Sequence, residues 1–100
     1  MTSMYAFTAR FHSYDGAEAA PDIAHHVQST AAPHNGLEHI YTEATPFGVY
    51  AVLFMHANGA EAAEDAAVEV CRGALQRAEL RGWNFTWQGP ERALNAGASW

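Results

Sequence analysis

The chain has 100 residues, with five Arg and no Lys against 11 Asp and Glu, for a formal charge of −6. This length supports one domain with one core, and the negative balance excludes nucleic acid or an anionic membrane as the main partner, since both call for a cationic face. The single Cys71 excludes a disulfide framework or a cysteine zinc ribbon, and the absence of a membrane-length apolar run or a leader-like N-terminus implies a cytoplasmic chain.

Residues 4–12 alternate, with Tyr5, Phe7, Ala9 and Phe11 on one parity and Ala6, Thr8, Arg10 and His12 on the other. Period two with aromatics on one side predicts a half-buried strand. Residues 13–16 read as a turn. Pro21 suits the first position of a helix, and Ile23, Ala24, Val27 and Ala31 recur at helical spacing, so a helix is expected over 21–31. The run Pro33-His34-Asn35-Gly36 ends it.

Two strand-like runs follow, 37–44 and 49–57, around Thr45-Pro46-Phe47-Gly48. Proline followed two residues later by glycine suggests a type I turn closed by a left-handed glycine, which pairs Thr45 with Val49. In that register Ala44 faces Tyr50, Thr42 faces Val52, Ile40 faces Phe54 and Glu38 faces His56. The other side of the hairpin carries Leu37, His39, Tyr41 and Glu43 against Ala57, Met55, Leu53 and Ala51. A slip of one residue would exchange the faces of one strand.

Asn58-Gly59 breaks the second of these strands, and an amphipathic helix is expected over 60–80. Its apolar stripe is Ala63, Ala67, Val70, Cys71, Ala74, Leu75 and Ala78, and Gly82 marks its stop. Residues 83–88 alternate again, with Trp83, Phe85 and Trp87 on one side, and residues 91–100 read as a tail outside a single domain spanning 1–90.

This order predicts an α+β, ferredoxin-like βαββαβ fold: an antiparallel four-stranded sheet with both helices on one face. The covered face carries Tyr5, Phe7, Phe11, Leu53, Met55, Trp83, Phe85 and Trp87, large side chains that complement an alanine-rich helix. The open face is expected to carry Ile40, Tyr50, Val52 and Phe54 beside Arg10, Thr8, Asn84 and Thr86. A solvated sheet face alternates to polar residues, and an apolar patch there marks an interface. The expected role is a non-catalytic module that forms a homodimer or holds a protein partner through Ile40, Tyr50, Val52, Phe54 and Arg10.

The six histidines do not predict a metal site. His25 and His26 diverge by about 100° on a helix, and Asp22 with His26 supplies two ligands only. His12 and His56 are expected at opposite ends of the sheet. Glu38 and His56 form a candidate acid/base pair, read here as a surface pair, while Arg10, His12 and Tyr50 read as the rim of a contact. Cys71 sits in the helix stripe as a small apolar side chain, and no phosphate-binding glycine loop occurs. No cofactor and no catalytic residue are assigned.

In element order the chain resembles the dimeric α+β barrel monooxygenases and cyclases. That resemblance implies paired sheets, a pocket between sheet and helices, and chemistry that often needs no cofactor. The pocket residues would be His39 and Tyr41, on the helix side of an edge strand, with Trp83 or Trp87 as a wall.

Overall fold

The computed structural model describes residues 2–13 and 21–91. The expected turn at 13–16, beyond Ser13, and the expected tail, beyond Glu91, lie outside the described residues. Strand β1 (Ser3–Ser13) leads to helix α1 (Ile23–Thr30), a short 3-10 turn (Pro33–Asn35), and the hairpin β2 (Leu37–Thr45) and β3 (Gly48–Ala57). Helix α2 (Ala60–Leu75), a second 3-10 turn (Ala78–Leu80) and β4 (Trp83–Pro90) complete the order. The strands form one antiparallel sheet in the order β2-β3-β1-β4, so the chain is of the α+β class.

One side of the sheet meets both helices. Phe7, Ala9 and Phe11 from β1 and Ala51, Leu53 and Met55 from β3 form one cluster with Ile23 and Val27 of α1 and Ala63, Ala67, Val70, Cys71 and Ala74 of α2. The small residues of α2 bring its axis close to the sheet, and aromatics fill the remaining space. Phe7 stacks on Trp87 with ring centroids 5.8 Å apart, and Phe11 meets Phe85 at 5.7 Å. The Trp87 indole N–H donates to Glu64 Oε2 at 2.8 Å, which ties the far edge of the sheet to the first turns of α2.

Helix α1 begins later than the proline suggests, because Asp22 caps it by accepting from the His25 backbone N–H at 3.0 Å. Helix α2 ends earlier than expected, at Leu75, and Arg77 adopts an extended conformation before the second 3-10 turn. The reason is packing. A helix continued to residue 80 would place Ala78 on the buried stripe and Leu80 about 120° away from it. Ending the helix leaves Ala78 exposed and buries Leu80 completely.

The hairpin departs from the expected register by one residue. Thr45 pairs with Gly48, so the loop is the two residues Pro46 and Phe47. Thr45 holds this turn closed: its Oγ1 accepts from the Phe47 N–H at 3.2 Å and donates to the Gly48 carbonyl at 3.1 Å. Gly48, at φ 134°, lies so close to β1 that a Cβ would sit 2.1 Å from the Phe11 carbonyl oxygen. Glycine is favoured here twice over, by this close approach within the sheet and by a positive φ that side-chain-bearing residues rarely adopt.

The slip turns β2 over. Ile40 pairs with Leu53 and is buried in the core, whereas His39 and Tyr41 pair with Phe54 and Val52 on the opposite side. A bulge at Glu38 then restores the original parity, so Leu37 pairs with Met55 and packs against the core. A second bulge lies opposite Thr8 and Ala9, where β4 carries Gln88 as an extra residue and Gly89 takes a positive φ of 90°.

Candidate functional site: the open face of the sheet

The register places the outward side chains in rows across the strands. Glu43, Tyr50, Arg10 and Thr86 form one row, and Tyr41, Val52 and Thr8 form the next. His39, Phe54 and Ala6 form a third, followed by His56 beside Met4. Tyr41 is 50% exposed and Met4 42% exposed, in a row and a corner where a solvated sheet would carry polar groups. The His39 ring lies against Phe54 with centroids 6.1 Å apart. Apolar side chains therefore run from Met4 through Phe54 and Val52 to Tyr41 and Tyr50, with Val52 itself buried at 6% exposure.

The β1–β4 side of this face is polar and cross-linked. Tyr50 Oη reaches across β1 and donates to Glu91 Oε2 at 3.0 Å. Partial burial, and then this carboxylate, holds the phenol above its ordinary range, so it remains a hydrogen-bond donor. His12 Nε2 lies 3.2 Å from Thr86 Oγ1, and Thr8 Oγ1 donates to the Gly89 carbonyl at 3.4 Å.

The residues expected at an interface are brought together except for one. Tyr50, Val52, Phe54 and Arg10 share the open face, but Ile40 lies under the helices, and the sequence-based placement of Ile40 is corrected. Tyr41 takes its place on the surface. The residues expected to line a pocket are not brought together. His39 and Tyr41 stand on the open face of the β2 edge, while Trp83 and Trp87 pack against the core from the opposite edge strand. The cause is the same one-residue difference in hairpin register. Of the candidate rim cluster, Tyr50 engages Glu91 and His12 engages Thr86, with Arg10 between Tyr50 and Thr86 in the same row.

Glu38 and His56 do meet, with Oε1 3.0 Å from Nδ1, both side chains nearly half exposed. The bulge makes this contact, since the shifted register alone would set Glu38 opposite the buried Met55. Among the described residues no group of three or more His, Cys, Asp or Glu side chains is placed to hold a metal ion. Asp22 serves as a cap, and His26 turns inward, where its Nδ1 accepts from Arg77 Nε at 2.9 Å. Burial pushes the Cys71 thiol up to about 12, which removes it as a nucleophile near neutral pH.

Two polar features escaped the sequence reading. Asn35 is buried, its Oδ1 accepting from the Ala32 N–H at 2.7 Å and its Nδ2 donating to Glu69 Oε2 at 3.0 Å. Beside it, a cleft of about 250 Å³ opens between the end of α1 and the start of β2, lined by residues that include Gln28, Ala31, Leu37, Glu38 and His39. The Asn-Gly pair at 35–36 signals a turn, but nothing in its spacing signals the long-range partner Glu69.

No family model, curated protein or solved structure matches this chain. Among the described residues no helix is long and apolar enough to cross a membrane.

Proposed function

We propose that this chain is a small, non-catalytic docking module of ferredoxin-like architecture, and that a second copy of it covers the open sheet face. The element order and the strand order β2-β3-β1-β4 support that architecture, since two crossovers around a central hairpin generate it. The observation that carries the docking role is the apolar row of Tyr41 and Val52 flanked by Tyr50, Phe54 and Met4 on a sheet face that neither described helix covers. A patch of this kind on a small domain is an interaction surface. The same face carries Arg10 near one end and Glu43 and Glu38 on β2, so it offers both signs of charge to a symmetry-related copy, which makes a self-complementary contact feasible.

Light scattering on a sizing column across a concentration series tests the proposal. The expected mass is twice the 10.9 kDa of one chain, and Phe54→Asp is expected to return it to one while leaving the circular dichroism spectrum unchanged. A wild-type mass of one chain at every concentration overturns the homodimer. A folded Phe54→Asp dimer overturns the assignment of the interface to this face.

A further inference from the structure

We infer that the second copy seats with its two-fold axis along β3, so that Arg10 of each copy pairs with Glu43 of the other; this pairing rests on the docking role proposed above. Arg10 is the only Arg on the four described strands, and it stands exposed on the open face. Glu43 stands exposed in the same row, two strands away, with Tyr50 between them. At the ordinary strand spacing their backbones lie about 10 Å apart. Among the described residues neither side chain has a hydrogen bond or an ion pair. The other carboxylates of the face are engaged: Glu38 meets His56 at 3.0 Å, and Glu91 accepts from the Tyr50 hydroxyl at 3.0 Å.

Covering this face takes both charges out of water, and each then needs a partner from outside its own chain. Three of the five patch residues, Tyr50, Val52 and Phe54, lie on β3, so a copy that buries the patch centres its axis there. In aligned packing, where facing strands keep within about 30° of one another, that axis has two settings. Run along β3, it lays β2 of one copy over β1 of the other, row upon row. Glu43 then faces Arg10 at two symmetric places, while Tyr50 and Phe54 each face their own counterparts as aromatic pairs. Run across the strands through Val52, it inverts the rows, setting Glu43 over His39 and Arg10 over Ala6, a small apolar residue 3% exposed. That setting covers a guanidinium with no carboxylate opposite, a cost that the first setting avoids.

Dimer dissociation constants from sedimentation equilibrium test the pairing, with circular dichroism confirming that each variant is folded, as substitution at two exposed positions allows. Arg10→Glu and Glu43→Arg each set like charges opposite one another at two symmetric places, and each is expected to weaken the homodimer at least about tenfold. The double variant Arg10→Glu/Glu43→Arg keeps the net charge and exchanges the partners, and is expected to dimerise nearly as tightly as the wild type. An equimolar mixture of the two single variants is expected to form a heterodimer tighter than either homodimer, since every facing pair is then of opposite sign. Net charge alone would place that heterodimer between the two. Single variants that dimerise as tightly as the wild type, or a mixture that gains nothing, overturn the Arg10–Glu43 pairing, and the docking face survives that result if Phe54→Asp still dissociates the dimer. A wild-type chain that is monomeric at every concentration overturns docking by a second copy and this pairing with it.

Discussion

Phe7 combines nearly complete burial, at 2% exposure, with a stacked contact to Trp87. Truncation there removes a large apolar area and leaves a hole between sheet and α2 that the alanines of the helix cannot fill. Phe7→Ala is expected to cost about 3–5 kcal/mol, read as a lower midpoint in urea; an unmoved midpoint would place Phe7 outside the core. Cys71 makes a prediction about pH. The folded thiol is raised to about 12 from its ordinary 9.0, so in this interval the unfolded chain releases a proton that the folded chain retains. Stability supplied by the protonated thiol is therefore complete below about pH 9 and declines as pH rises, by at most about 1.4 kcal/mol per pH unit. Cys71→Ala is expected to flatten that alkaline decline. An alkaline slope identical in the two proteins would mean the thiol ionises alike in the folded and unfolded chains.

Among the elements, the α1–α2 junction depends on polar contacts as well as on packing. Gly73 lets the helices close until a Cβ there would lie 2.8 Å from Thr30 Cγ2, and Arg77 donates to the buried His26. Arg77→Met leaves that imidazole nitrogen without its donor and is expected to cost about 1–3 kcal/mol by chemical denaturation. His26→Asn, whose Oδ1 falls near the place of Nδ1, is expected to cost less. Equal losses would mean that packing, and not the hydrogen bond, holds the junction. At the hairpin, Gly48→Ala drives a methyl group into the Phe11 carbonyl and is expected to cost at least about 2 kcal/mol. A neutral effect on the denaturation midpoint would refute the close approach of β1 and β3. Most element types were legible because their hydrophobic periods were clean: two for β1 and β4, 3.6 for α2. The facing of β2 was not. Pro46 and Gly48 fit both a two-residue and a three-residue loop, and the deciding contacts, the Thr45 hydroxyl bonds and the approach of Phe11, depend on three-dimensional closure. The early end of α2 was hidden for a related reason, since Ala78 and Leu80 are both apolar and only volume decides which is buried.

On the scale of the whole molecule, the described helices cover one side of the sheet, and the β2–β3 half of the other side is apolar as well. The covered side was readable from β1, β3 and β4, whose aromatics keep strict parity. Three of the four large apolar residues expected on the uncovered side are there, because β3 was assigned its faces correctly. Tyr41 replaces the fourth, so the patch keeps its apolar character while gaining a hydroxyl and losing a branched aliphatic. The cleft was illegible, since it is built from the bulge at Glu38 and the end of α1, neither of which leaves a periodic trace.

The two-residue loop at Pro46 and Phe47 gives this surface an unusual kind of dependence. One codon inserted there, with the strand still paired, would send His39, Tyr41 and Glu43 beneath the helices and bring Ile40 to the exterior, with no side chain substituted. The insertion would exchange Tyr41 for Ile40 in the patch and break the core in a single event, so the length of this loop bears on both sides of the sheet. Any descendant of this sequence that retains the surface is expected to retain the spacing between Thr45 and Gly48, whichever two residues fill it.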